Sequence, residues 1–340
     1  MEANNENNGV IISSRVRLAR NFEEYPFPYR MNKAQADEII SKVRSSIAAG
    51  GLNELKGSLF VDMQNFGEIE RQMLVEKHLI SPDLTMSCEK SAVVISRDEK
   101  VSIMINEEDH LRIQAIYSGL KLNDALILCN KIDDCLEKNI NYAYSSTYGY
   151  LTCCPTNIGT GIRASVMLHL PALVMTGYIR NVLEACSKLN MTVRGIYGEH
   201  SGALGNIFQM SNQVSLGQTE EEIVTSITNI ATQIVEQENT IRNELYKQNA
   251  KLFEDKIYRS FGLLSNARII TTEESLNLIS DVKLGVDMGI IKDVNINTVN
   301  EIILLIQPAS LQKFVGKPIS PDERDIKRAE LIREKLKASQ

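Results

Sequence analysis

No stretch of this chain approaches the roughly 18 consecutive apolar residues that a membrane-spanning helix needs. The opening Met-Glu-Ala-Asn-Asn-Glu-Asn-Asn is too polar and acidic for a signal peptide. Basic excess is missing as well: 37 Lys plus Arg stand against 43 Asp plus Glu, a net charge of −6, which argues against a generic nucleic-acid binder. The six cysteines, at 88, 129, 135, 153, 154 and 186, form no C-x-x-C pair and no regular framework. Neither a zinc ribbon nor a disulfide scaffold is indicated, and most of them read as small buried apolar residues. The chain has no Walker A pattern, no internal repeat and no low-complexity tract. These absences leave a cytosolic protein with no membrane and no nucleic acid among its expected partners. Its 340 residues, 43% apolar and 24% charged, suffice for two domains with a sizeable core.

Residues 1–9 read as a flexible tail, followed by a strand over 10–18 and a helix over 33–48 that stops at Gly50-Gly51. Short β-rich runs come next at 59–63, 92–96 and 101–105, the last two flanking Arg97-Asp98-Glu99-Lys100 as a hairpin. Apolar spacing predicts a helix over 120–140 and a long one over 161–189, kinked or restarted at Pro171. Strands are expected at 192–197 and 207–215. Thr219 with Glu222, Thr271 with Glu274 and Ser320 with Glu323 are capping boxes that open helices, and Pro308 ends a helix begun near Asn297. The class is α+β over 10–254, followed by an all-helical domain over 255–340.

Four segments concentrate groups that do chemistry. In Ser13-Ser14-Arg15-Val16-Arg17-Leu18-Ala19-Arg20, Arg15 and Arg17 share one face of a strand, where two cations repel unless an anion lies between them; a solvated basic edge strand reads equally well. Asn106-Glu107-Glu108-Asp109-His110-Leu111-Arg112 places three carboxylates at a strand end, able to bind Mg²⁺, act as general base or clamp a guanidinium, or simply to form a solvated acidic loop. Cys153 to Arg163 is glycine-bearing and runs towards the predicted helix, whose N-terminus could cradle phosphate; the alternative is a plain turn with Gly159 and Gly161 at positive φ. Arg194 to Asn206, with glycines at 195, 198, 202 and 205, is either a mobile loop carrying Arg194 and Glu199 or an ordinary hairpin. Together they offer Arg15, Arg17, Arg112, Arg163 and Arg194 for a triphosphate, and Glu107, Glu108 and Glu199 for an acceptor.

These segments, S-S-R-V-R-L-A-R, N-E-E-D-H-L-R, C-P-T-N-I-G-T-G-I-R and R-G-I-Y-G-E, resemble the phosphagen (ATP:guanidino) kinase superfamily. V-E-K-H-L-I-S-P, R-A-S-V-M-L-H-L-P-A-L and G-N-I-F-Q-M-S-N-Q are similar to its bacterial protein-arginine kinase branch. The resemblance implies an antiparallel sheet flanked by helices, and Mg²⁺-ATP-dependent transfer of the γ-phosphoryl group to arginine in proteins. It implies nucleotide contacts at Ser13, Ser14, Arg15, Val16 and Arg17, at His78 and Arg112, at Arg163, Ala164, Ser165, Val166 and Met167, and at Arg194, Gly195, Ile196, Tyr197, Gly198 and Glu199. Glu108 takes the place of the acidic catalytic residue, Glu199 that of a second guanidine-binding carboxylate, and Cys154 that of a thiol tuning the substrate site. No metal ligand on the protein is singled out. Arg324-Asp325-Ile326-Lys327-Arg328-Ala329 resembles an allosteric phosphoarginine motif, whose Arg324 and Arg328, four apart on a helix, could fork one phosphate while Asp325 takes the guanidinium.

The partners implied are arginine-bearing substrate proteins with a heat-shock repressor among them, a zinc-containing activator, a AAA+ unfoldase-protease and further copies of the chain; the role implied is marking proteins for degradation under stress. Small-guanidine kinases carry a helical domain before the strand at Val10, and its absence here fits arginine presented on a protein. His200-Ser201-Gly202 depart from the usual G-S-E of the branch. The rival expectations are a kinase for a free guanidine metabolite and a phosphoarginine-binding adaptor for a protease.

Overall fold

The structure is a computed structural model and describes residues 9–195 and 203–338. Its elements run β1 (Ile11–Arg20), α1 (Lys33–Gly50), β2 (Leu59–Asp62), α2 (Glu68–Glu76), β3 (Ala92–Ile95), β4 (Val101–Ile105), β5 (Leu111–Ser118) and α3 (Leu122–Glu137). A short hairpin, β6 (Tyr144–Ser145) with β7 (Gly149–Tyr150), precedes β8 (Ile162–His169), α4 (Pro171–Met175), α5 (Ile179–Lys188), β9 (Met191–Gly195), β10 (Ile207–Asn212) and α6 (Glu220–Gln248). Five helices complete the chain: α7 (Ala250–Asn266), α8 (Thr272–Asp287), α9 (Ile296–Leu305), α10 (Pro308–Val315) and α11 (Pro321–Ala338).

Eight strands form one sheet in the order β2-β3-β4-β5-β1-β8-β10-β9, and each neighbouring pair is antiparallel. Strand alternation sorts its two faces. Val16, Leu18, Ile113, Ala115, Ile162, Ala164, Val166 and Met210 point to one side and join α1, α3 and α6 in the main core. A second core lies among α7 to α11 and takes in Ile207. A third, small one packs Met63, Leu74, Leu79, Ile80 and Leu84 against Val93, Ile95 and Met104, on the other side of the sheet.

Several expectations hold. Thr219 and Glu222 form a reciprocal capping box on α6, and Gly51 closes α1 in the left-handed conformation. Others need correction. The helix expected over 161–189 is a strand, β8, then two short helices with Pro171 in the first turn of α4. Ile162, Ala164, Val166 and Leu168 alternate with Arg163, Ser165 and Met167, so the apolar period is two and the segment sits as an inner strand between β1 and β10. The Cys153–Arg163 segment, apart from one 3-10 turn at Pro155–Asn157, therefore enters a strand, and no α-helix begins there to cradle phosphate. Gly159 and Gly161 do take positive φ; a Cβ on Gly161 would lie 2.6 Å from the Ala19 carbonyl oxygen. β5 and α2 lie where neither was expected. Of the cysteines, 129, 135 and 186 are buried and 88, 153 and 154 half-buried. Residues 1–8 of the expected tail lie outside the described residues, whereas Gly9 sits in a turn whose carbonyl accepts from Lys283 Nζ at 2.8 Å.

Candidate active site

The face of the sheet opposite the main core carries the arginines. Strand parity puts Arg15 and Arg17 of β1, Arg112 of β5, Arg163 of β8 and Arg194 of β9 on that side, and register sets Arg17 directly opposite Arg163. All five line one cleft of about 670 Å³, together with His78, Ser81, Gln114, Gln209 and Ser211. Polar neighbours orient Arg15 and Arg163 without neutralising them, whereas Arg112 is paired with Glu107. Arg15 donates to Gln209 Oε1 at 3.1 Å and Ser165 Oγ at 3.4 Å, and Arg163 to Ser211 Oγ at 3.3 Å. Arg17 Nε is buried with no hydrogen-bond partner among the described residues.

This packing makes the charges on Arg15, Arg17 and Arg163 costly. Burial, then the neighbouring Arg112 and Arg163, lower Arg15 to about 10. Burial and the guanidinium groups of Arg15, Arg112 and Arg163 push Arg17 well below its usual value. Burial and Arg15 hold His78 at about 4, so its ring is neutral at pH 7. A buried row of like charges is relieved by a polyanion lying along it. The cleft is suited to a triphosphate.

The three consecutive carboxylates occupy the β4–β5 hairpin tip, where Asn106 adopts φ 58° and its N–H donates to the His110 carbonyl. They have three different environments. Glu107 is buried and grips Arg112 and the Ser81 hydroxyl; burial raises it, but Arg112, Ser81 and the Glu108 N–H outweigh that and hold it below the usual carboxylate range. Asp109 is buried and accepts from Asn21 Nδ2 at 2.6 Å and the Cys153 N–H at 2.7 Å, tying the cysteine-bearing loop to the hairpin. Glu108 keeps its side chain 39% exposed, 3.7 Å from Arg112 Nη2. Burial, with Asp109 and Glu107 nearby, raises it despite Arg112. A half-exposed carboxylate of raised basicity beside a phosphate-sized row of cations can hold a guanidinium and take its proton.

Parity also separates the other expected contacts. Ser13, Ser165 and Met167 share the arginine face. Ser14, Val16, Ala164 and Val166 do not: Val16, Ala164 and Val166 are core residues, and the Ser14 hydroxyl donates to the Gly119 carbonyl at 2.6 Å. Their side chains are on the far side of the sheet from the cleft, a correction to the segment-wide expectation. Gly195 lines the cleft, while Ile196, Tyr197, Gly198 and Glu199 lie outside the described residues, as does His200-Ser201-Gly202. Cys154 is half-buried, its Sγ 3.0 Å from Thr156 Oγ1. Arg20, next in the same basic run, is structural: it is 2% exposed, paired with Asp133 at 2.6 Å and stacked 3.6 Å over Tyr150.

On α11, Ser320 and Glu323 cap the first turn as expected. The two-arginine fork is not what forms there. Arg328 is 1% exposed, with Nε on the Ile306 carbonyl at 2.9 Å, Nη1 on the Ile270 carbonyl at 2.9 Å, and Asp325 as its ion pair. Ala329 beside it is core, and Arg324 is half-exposed. Position explains the difference: Arg328 sits beside the core residues Ala329, Leu331 and Ile332, whereas Arg324 lies near the start of α11. Sequence reasoning passed over Gln114, Gln209 and Ser211, which a correct reading of β5 and of strand parity would have placed in the cleft. It also passed over Glu76, Gln307 and Pro308, cleft residues that no local pattern marks.

An arginine-lined cleft on an antiparallel sheet with a basic carboxylate at its edge defines an enzyme that moves phosphoryl groups between nucleotide and guanidine. Residues 38–241 match the family described as ATP:guanido phosphotransferase, C-terminal catalytic domain, and the chain belongs to that family. Residues 250–340 match the protein-arginine kinase McsB C-terminal domain. A protein-arginine kinase of Desulforamulus reducens is 52% identical over 99% of this chain and 94% of its own length, and one of Bacillus subtilis is 46% identical over 96% and 90%. Among solved structures, the duplicated taurocyamine kinase of Schistosoma mansoni with bound transition-state analogue components superposes with TM-score 0.60 at 26% identity, covering 71% of this chain and 34% of that one. Lombricine kinase shares the fold, with TM-score 0.59 at 22% identity over 70% and 68%.

Proposed function

We propose that this chain is a protein-arginine kinase that transfers the γ-phosphoryl group of Mg²⁺-ATP to arginine guanidine groups in proteins. The observation that carries this reading is the convergence of five arginines in one cleft with Glu108 at its edge. The triphosphate lies along the arginines, with Mg²⁺ arriving on the nucleotide as part of the substrate. A terminal guanidine nitrogen attacks the γ-phosphorus, an N–P bond forms, the bond to the β,γ-bridging oxygen breaks and ADP leaves. Glu108 orients the guanidinium and accepts the proton that nitrogen loses. Glu199 acts as a second guanidine-binding carboxylate, and Cys154 tunes that end of the site.

The cellular reading is cytoplasmic marking of proteins for degradation during stress, with a heat-shock repressor among the substrates, a zinc-containing activator, a AAA+ unfoldase-protease and self-association. No helix among the described residues is long and apolar enough to cross a membrane. The α11 motif recognises phosphoarginine through Arg324, next to the Arg328–Asp325 pair. Incubation with Mg²⁺-ATP and either an arginine-rich protein or free arginine tests the activity. Acid-labile phosphate on protein arginine is expected; label on free arginine alone would favour the metabolite kinase, and no label with retained phosphoarginine binding the adaptor.

A further inference from the structure

Glu76 ends α2 at the rim of the cleft and is 8% exposed. No lysine or arginine pairs with it among the described residues. Its carboxylate instead accepts the N–H of Ala309 at 2.8 Å, the N–H of Ser310 at 2.7 Å and the Ser310 hydroxyl at 2.7 Å. Those N–H groups belong to the first turn of α10, which has no intrahelical acceptors for them and where a negative charge is favourable. The contact joins positions 233 and 234 residues apart and docks the helical region onto the sheet region. At the start of the clipped turn, Gln307 and Pro308 line the same cleft as Arg15 and His78. This corner is held from behind as well, because Arg328 Nε donates to the Ile306 carbonyl.

We infer that Glu76 is a positioning residue for nucleotide binding, which by clipping the first turn of α10 sets Gln307 and Pro308 as a wall of the ATP cleft. The inference rests on the assignment of that cleft to ATP. The arginines take the phosphates, and the uncharged lining to which Gln307 and Pro308 belong is left for the adenosine half. That half does not change as the γ-phosphoryl group moves. Its contacts stabilise ground and transition states alike, so losing them raises KM and spares kcat. A contact needed only for folding has no such selectivity.

Steady-state kinetics and calorimetry on the full chain, with E76Q, E76A and Lys313→Ala, decide the matter. E76Q keeps the shape but turns one acceptor into a donor facing an N–H; E76A removes both acceptors. Lys313 pairs with Glu70 at 2.8 Å on the same α2–α10 interface, exposed and outside the cleft lining. With protein substrate saturating, the Glu76 variants should raise the KM for ATP and the calorimetric Kd for ADP about tenfold, roughly 1.4 kcal/mol, with kcat within about twofold of wild type. Lys313→Ala should leave all three constants unchanged. Wild-type ADP affinity in both Glu76 variants, an equal loss in Lys313→Ala, or a fall in kcat alone would overturn the role. Thermal unfolding without nucleotide separates the structural explanation, since a lowered Tm with intact ADP affinity also overturns it. Wild-type protein that binds no ADP would instead overturn the assignment of the cleft, and the inference with it.

Discussion

Three adjacent carboxylates of one hairpin tip end in three different environments, and their neighbours decide which can act as a base. Glu107 is held ionised by Arg112, Asp109 is locked between Asn21 and the Cys153 N–H, and Glu108 alone combines exposure with raised basicity. Glu108→Gln should lower kcat by about 10²–10⁴-fold while ADP affinity, measured calorimetrically, stays near wild type; a variant with half the activity would remove Glu108 from the mechanism. Because its pKa is raised, Glu108 takes up a proton at higher pH than an ordinary carboxylate. The acid limb of kcat/KM should therefore lie above the usual glutamate range and fall as pH drops through it. Arg194 differs from the other four arginines by its exposure at the end of edge strand β9. Arg194→Ala should lower kcat and kcat/KM together, as a contact strongest when charge moves between phosphates does; a rise in KM alone would make it a ground-state anchor.

At the scale of elements, α11 shows how one helix separates a structural arginine from an accessible one. Arg328 fastens α11 to the Ile306 and Ile270 carbonyls, so Arg328→Ala leaves two acceptors and Asp325 without their donor. A loss of about 2–4 kcal/mol is expected in urea unfolding. Arg324 is half-exposed and bears no comparable burden. Arg324→Ala should change stability by less than about 0.5 kcal/mol and weaken calorimetric binding of a phosphoarginine analogue with the catalytic site blocked. Unchanged affinity in Arg324→Ala would place that recognition elsewhere.

For the whole molecule, acid stability should reflect its buried histidines. His169 is fully enclosed, and burial followed by Lys283 and Arg242 hold it well below its usual range. His110 is at about 4, lowered by burial; its Nδ1 accepts from the Phe22 N–H, and its Nε2 lies 2.9 Å from the Pro26 carbonyl, which fits the neutral ring. His78 is also at about 4. The unfolded chain protonates these rings near pH 6.5 and the native protein does not. Their stabilisation is therefore complete above that pH and is lost as pH falls from about 6.5 towards 4. Carboxyls raised by burial, Asp133 and Asp287 among them, oppose the trend at lower pH. The urea midpoint should drop between pH 7 and pH 5.5 at constant m-value; a flat profile would mean that these rings are free to protonate in the native state.

Periodicity and residue chemistry in the sequence alone determined that Arg15 and Arg17 share a face, that residues 101–105 and 92–96 pair, that Thr219 opens a helix, and that the resemblance is to guanidino kinases. Those features are local or carried by long ordered motifs, and they survive folding because nothing distant competes with them. The 161–189 segment shows the limit: Ile162, Val166, Leu170 and Leu173 fall at helical spacing while Ile162, Ala164, Val166 and Leu168 alternate, and only the place of β8 between β1 and β10 selects the strand. The tertiary structure alone decided that the Ser14 hydroxyl meets the Gly119 carbonyl, that Arg328 is a clamp, and that Glu76 meets Ala309 and Ser310. In each case a side chain's partner comes from an element far along the chain, and hydrogen-bonding and burial energies act on that spatial neighbour, which no short-range pattern encodes.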